Sequence, residues 1–141
     1  MSEPEALVTL RENFAFLDTW EDRYRFLVDL GRELPPMDDA LKTPATKVDG
    51  CLSQVWMLGR SEPSGALSYL ADSDAAIVRG LIAVLLTACN GRLPADILAS
   101  DVDRLFDELG LAQHISMNRR NGFFAMVQRI RSEAARLSAA S

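Results

Sequence analysis

Ligands for a metal are scarce in this sequence. Among 141 residues there are two cysteines and one histidine: Cys51, Cys89 and His114. A structural zinc site takes about four Cys or His ligands, and these three have no ligand-like spacing. Two cysteines so far apart also make a poor disulfide framework. There is no glycine-rich phosphate loop and no G-x-S-x-G, and a single histidine leaves few options for a Ser-His or Cys-His pair. Basic charge is in deficit, with 15 Lys and Arg against 20 Asp and Glu, for a net charge of −5. Such a surface repels phosphate backbones, so no nucleic-acid partner is expected. Long apolar runs are missing as well. The longest, around Leu81–Cys89, falls far short of the ~20 residues that span a bilayer. The opening stretch, MSEPEALVTLRENF, is acidic and lacks a basic segment followed by an apolar one. No signal peptide or membrane association is therefore expected, and the expected location is the cytoplasm, where thiols stay reduced.

What is present is ordinary globular material: 48% apolar and 25% charged residues, enough for one domain, 1–141, with its own core. Leu7, Leu10, Phe14 and Leu17 share one face of a first amphipathic helix. Asp18 is expected to cap a second, with Glu21 completing the capping box. Trp20, Tyr24, Leu27, Val28, Gly31 and Leu34 form its stripe, and Pro35-Pro36 stops it. Residues 35–46 read as a proline-containing linker. Helical periodicity then gives out. Val48 suggests a short first strand, Val55–Arg60 a second, Glu62-Pro63-Ser64-Gly65 a turn and Ala66–Ala71 the returning strand. Asp72 or Ser73 is expected to cap the next helix, with Asp74 in its first turn. Ala75 to Cys89 is apolar nearly all round, the mark of a central helix ended by Asn90-Gly91. Short helices are expected from Pro94 and from Ser100. A last one begins near Ser116–Asn118, burying Phe123, Val127, Ile130, Ala134 and Leu137, with Arg129, Arg131, Glu133 and Arg136 mostly solvated. The order predicts an α+β fold: an antiparallel sheet of about three strands packed against several helices.

One position stands out chemically. Cys51 follows Gly50, which tolerates a left-handed turn, and precedes an apolar strand. It is either a small buried filler or a loop-borne thiol, and the local sequence leaves both readings open. Lys47 would favour the thiolate and Asp49 oppose it. Cys89, inside the apolar helix, reads as filler, and Trp20 and Trp56 as core. The spacing assigns no role to His114 or Arg120. Arg119-Arg120, a cationic pair at a helix start, is either a solvated surface pair, the more frequent arrangement, or a site for an anionic group or a partner's carboxylates.

The stretch KVDGCLSQVWMLGR resembles the G-C-x-S-Q-V-W signature of the SufE-type sulfur-acceptor proteins, the cysteine desulfuration family. DSDAAIVRGLIAVLL (72–86), NRRNGFFAMVQRIR (118–131) and the helical NFAFLDTWEDRYRFLVDLGRELPPM are similar to other parts of that family. Leu52 departs from it, since many members carry glutamine there. The resemblance implies a SufE/IscU-like fold and a carrier that takes persulfide sulfur from a PLP-dependent, SufS-type cysteine desulfurase. It implies Cys51 as the acceptor, Gly50, Ser53 and Gln54 as loop support, and Asp74 and Arg119 as partner contacts. It also implies stimulation of the desulfurase and delivery of sulfur to an iron–sulfur scaffold. The chain is then a transfer partner rather than a stand-alone enzyme, with no cofactor or metal of its own. An adaptor that docks a desulfurase without carrying sulfur, and a donor to a pathway other than iron–sulfur clusters, are the alternatives. The edge of a small sheet leaves a homodimer open.

Overall fold

Three apolar positions at helical spacing, Leu7, Leu10 and Phe14, are buried along α1 (Glu5–Ala15) in the computed structural model, which describes residues 4–51 and 53–140. Leu52 and any role for its side chain lie outside the described residues. Helix α2 spans Trp20–Arg32, and its cap is Thr19 rather than Asp18. The Thr19 hydroxyl accepts from the Asp22 amide at 3.1 Å, so the capping side chain sits one residue later than the expected box would put it. The helix ends before Pro35-Pro36, and a 3-10 turn at Asp39–Leu41 interrupts the linker.

The sheet among the described residues has two strands, β1 (Val55–Ser61) and β2 (Leu67–Ser73), paired antiparallel from Val55↔Ser73 to Ser61↔Leu67. The expected third strand is reduced to one bridge, Lys47↔Trp56. Two backbone bonds flank it: Val48 N–H donates to the Val55 carbonyl and Met57 N–H to the Thr46 carbonyl, each at 2.8 Å. The segment turns away at once because Thr43–Thr46 folds on itself. The Thr46 hydroxyl donates to the Leu41 carbonyl at 2.6 Å and accepts from the Thr43 amide at 3.0 Å. On the opposite edge Leu67 pairs with Arg92, so both edges carry extra pairings.

Val55, Met57, Leu67, Tyr69 and Ala71 alternate onto the core face of the sheet. Against it lies α3 (Ala76–Cys89), buried almost all round, with α1 and α2 packed on its far side. The α2–α3 crossing is a glycine contact: a Cβ on Gly31 would come 2.7 Å from the Gly80 amide nitrogen, and one on Gly80 would run into the Leu27 carbonyl. The start of α3 differs from the sequence expectation. Asp72 and Ser73 end β2, and Ala75 caps the helix without a side-chain bond. Asp74 is thereby released from the first turn for another use.

Short helices α4 (Pro94–Ala99) and α5 (Val102–Glu108) follow, the latter capped by Asp101 rather than Ser100. Helix α6 (Met117–Ala140) closes the molecule across the sheet, where the buried Tyr69 hydroxyl donates to the Ile130 carbonyl at 3.0 Å. Phe123 stacks on Phe106 with centroids 4.5 Å apart, and both rings are fully buried. Each such ring contributes ~1.5–3 kcal/mol by leaving water. No helix among the described residues is long and apolar enough to cross a membrane.

Candidate functional site

The bridge at 46–48 converts the segment leading to β1 into a closed loop. Val48 is tied to Val55, so the two ends of the stretch that carries Gly50 and Cys51 are pinned together. Gly50 turns that loop with φ +89, a conformation that strains any side chain. A Cβ there would also stand 3.3 Å from the Ala125 Cβ, because the loop lies directly on α6.

Cys51 comes next and is half-buried. Its thiol donates to the Gly122 carbonyl, one turn before Ala125 on α6, at 3.5 Å. A Cβ on Gly122 would lie 3.4 Å from Cys51 Sγ, in ordinary contact, so the thiol rests directly on the helix. The sulfur borders a cavity of ≈190 Å³. Val78, Leu81, Phe123 and Met126 give it an apolar floor, and Ser53, Ser116, Asn118 and Arg119 supply its polar side. Burial pushes the Cys51 thiol above its ordinary pKa. Taking a thiolate out of water is unfavourable, so the resting group is held protonated at neutral pH.

The loop's far end is fastened by Asp74. Its carboxylate accepts from the Gln54 amide at 3.1 Å, and its own amide donates to the Gln54 carbonyl at 3.3 Å. The near end is fastened by a residue the sequence did not single out. Arg129 donates to the Ala45 carbonyl at 2.6 Å and to the Lys47 carbonyl at 3.3 Å, 84 and 82 residues away in sequence. Glu133 faces the Arg129 Nε at 3.5 Å and accepts from Arg136. Glu133 is buried, against the expectation that these four charged positions are mostly solvated. The i,i+4 and i,i+3 spacing of this trio was visible as helix pairing. Its reach across the fold was not.

Of the expected site residues, Cys51, Ser53 and Arg119 meet around the cavity, while Gly50, Gln54 and Asp74 shape the loop above it. His114 is elsewhere: exposed, outside the cavity lining, with its ring stacked on Trp20 at 4.7 Å. Of the two tryptophans expected in the core, Trp20 packs partly buried against it, and Trp56 does not join it. Trp20 is half-buried under His114, and half-buried Trp56 lies under the Lys42 ammonium, 5.1 Å from its ring centre. Lys42 also pairs with Asp72 at 2.9 Å, fastening the linker to the sheet. Cys89 is fully buried, as filler should be. The described residues contain no cluster of three or more His, Cys, Asp or Glu able to hold a metal ion.

Set beside known proteins, residues 8–134 match the family model described as SufE: Fe-S metabolism associated domain. An uncharacterized SufE-like protein of Rhizobium etli is 44% identical over 126 residues, covering 87% of this chain and 85% of its own. A second, from Rhizobium meliloti, is 42% identical over 126 residues, covering 87% and 90%. The solution structure of a hypothetical protein from Thermus thermophilus superimposes with a TM-score of 0.80 over 99% of both chains at 19% identity, a likeness of fold.

Proposed function

Because this chain belongs to the SufE family of Fe-S metabolism associated domains, we propose that it is a sulfur carrier whose acceptor is Cys51, loaded by a cysteine desulfurase. The observation that carries the reading is a thiol on a glycine-hinged loop, seated over a cavity far larger than one added sulfur atom needs. The same residues supply what the chemistry demands and little more.

The partner, with pyridoxal phosphate of its own, delivers a persulfide on a cysteine. Cys51 loses its proton to solvent or to a base of the partner, and the thiolate attacks the outer sulfur. A bond forms between Cys51 Sγ and that sulfur, and the partner's S–S bond breaks. The partner's cysteine leaves as a thiolate and takes up a proton. The transferred atom keeps its oxidation level, so no oxidant, metal or cofactor is required. Since burial holds the thiol protonated at rest, docking has to lift it off Gly122 before it reacts. Gly50 is the pivot for that movement, Ser53 and Gln54 support the loop, and the loaded sulfur returns over the cavity, away from stray thiols. Asp74 and Arg119, at the loop's end and the cavity's wall, are the proposed contacts for the partner. The proposed destination of the sulfur is iron–sulfur cluster assembly, and the proposed setting is a reducing one, in which Cys51 and Cys89 both stay free thiols.

Intact-mass spectrometry after incubation with a desulfurase and cysteine tests this directly. The expected result is a gain of one sulfur atom mapping to Cys51, absent in Cys51→Ser, together with stimulation of the desulfurase that the serine variant loses. Stimulation that survives the substitution would mean docking without carriage.

A further inference from the structure

The Cys51 loop does not rest on α6 by apolar contact alone. One face of that helix meets it at three successive levels: the Gly122 carbonyl under the thiol, Ala125 under Gly50, and the Arg129 guanidinium on the Ala45 and Lys47 carbonyls. The first two are yielding contacts, a weak sulfur hydrogen bond and a methyl group. The third is a charged fork that satisfies two backbone acceptors at once. The fork is itself aimed. Glu133, one turn further along and buried, holds the Arg129 Nε side, and Arg136 neutralises the other carboxylate oxygen at 2.6 Å. A guanidinium fixed by a buried carboxylate loses little further freedom when it grips the loop.

We propose that Arg129 is a positioning residue that clamps the base of the Cys51 loop, so that motion is confined to the segment beyond Val48 and the thiol returns to one place over the cavity. This rests on the reading of Cys51 as the acceptor, but the clamp has its own observables. With the near strand gripped at residues 45 and 47, the Lys47↔Trp56 bridge and the Val48–Val55 bond are preserved while the tip moves. Without the grip, the whole segment from Thr43 can peel from β1. Cys51 then loses its seat although no residue that it touches has been altered.

Arg129→Met keeps the aliphatic stem and removes the donors. The expected result is a rise of about tenfold in alkylation of Cys51 by a neutral reagent, the scale of one to two lost hydrogen bonds. The midpoint of the alkylation pH profile moves down towards that of an unburied thiol, and amide exchange quickens at Lys47 and Val48. Arg129→Lys, which retains a cationic donor, recovers part of the protection. Arg131→Met removes another arginine of the same helix, one that donates to the Ser100 carbonyl and does not reach the loop, and is expected to alkylate as the unmodified protein does. Wild-type rate, midpoint and exchange in Arg129→Met would overturn the clamp. So would equal effects from Arg129→Met and Arg131→Met, which would mark a general loosening of α6. None of these measurements uses a desulfurase. The clamp can therefore fail while Cys51 still gains sulfur, or hold while it gains none.

Discussion

Replacing Gly50 with alanine should expose the thiol without unfolding the protein. At φ +89 a residue with a Cβ pays the left-handed penalty of about 1–2 kcal/mol. The new methyl adds a contact 3.3 Å from the Ala125 Cβ, tighter than is comfortable. Both penalties belong to the seated loop. Once the tip lifts from α6 the turn relaxes and the methyl has space, so the substitution penalises the closed form and spares the open one. An opening equilibrium biased by about 1–2 kcal/mol shifts roughly 5- to 30-fold. Alkylation of Cys51 by a neutral reagent in excess should accelerate by that factor for as long as the open form is the minor one. Peptide mapping distinguishes it from Cys89, which is fully buried and should stay silent. Adding Ala125→Gly to the same chain removes the methyl contact and leaves the backbone strain, so it should restore only a small part of the protection. A Cys51 rate that does not change in Gly50→Ala would refute the reasoning, whatever happens to thermal stability. It would mean that the seated and reactive loops share one backbone conformation.

Other outcomes follow from the same structure. Asp74→Ala removes the carboxylate that accepts from the Gln54 amide; that amide should exchange about fivefold faster for a loss of ~1 kcal/mol, while Asp74→Asn, which keeps an acceptor, should not. Gly80→Ala drives a methyl into the Leu27 backbone at the α2–α3 crossing, where neither side can yield. A destabilisation of about 3 kcal/mol in urea titration is expected despite alanine's better helix propensity. Gly91→Ala, with φ +74 but open space around it, should lose only ~1 kcal/mol in the same titration. Cys89 provides a pH test, because burial pushes its thiol up to about 11. The folded state holds that proton more tightly than the unfolded chain does. Its contribution, on the order of 2–3 kcal/mol, is therefore complete below the ordinary thiol range and lost as pH rises towards 11. Cys89→Ala should flatten that alkaline slope in urea titrations taken across the range.

Much of this was readable in advance, and the gaps have physical causes. Helices with strong periodicity, such as α1 and the core helix α3, declared themselves because apolar spacing is a local property. The caps of α2 and α5 lie one residue from where the sequence suggests, since Asp18 and Thr19, or Ser100 and Asp101, are chemically near-equivalent neighbours and only backbone geometry chooses between them. The third strand failed for a different reason: Thr43 and Thr46 hydrogen-bond to their own turn, and that local knot leaves the chain one bridge long. At the site, Cys51 was visible through its glycine and the motif around it. Asp74 reads in the sequence as a residue of a helix's first turn and, by the resemblance, as a partner contact; that its carboxylate holds the loop is seen only in the structure. Arg129 reads in the sequence only as a charge on the helix surface, paired at most with neighbours on its own helix. The carbonyls it grips belong to a segment more than eighty residues away, and nothing in local pattern encodes that distance.

The Val48–Val55 tie described above also sets a leash. Cys51 stands three residues from that anchor, so its Cα can travel at most ~10 Å from it, whatever the loop does. An arm that short cannot swing between two distant catalytic centres within one standing assembly. If sulfur is what it bears, the whole molecule has to make the journey, letting go of the donor before meeting the recipient. Departure of the loaded protein from its dock would then be a step of every turnover.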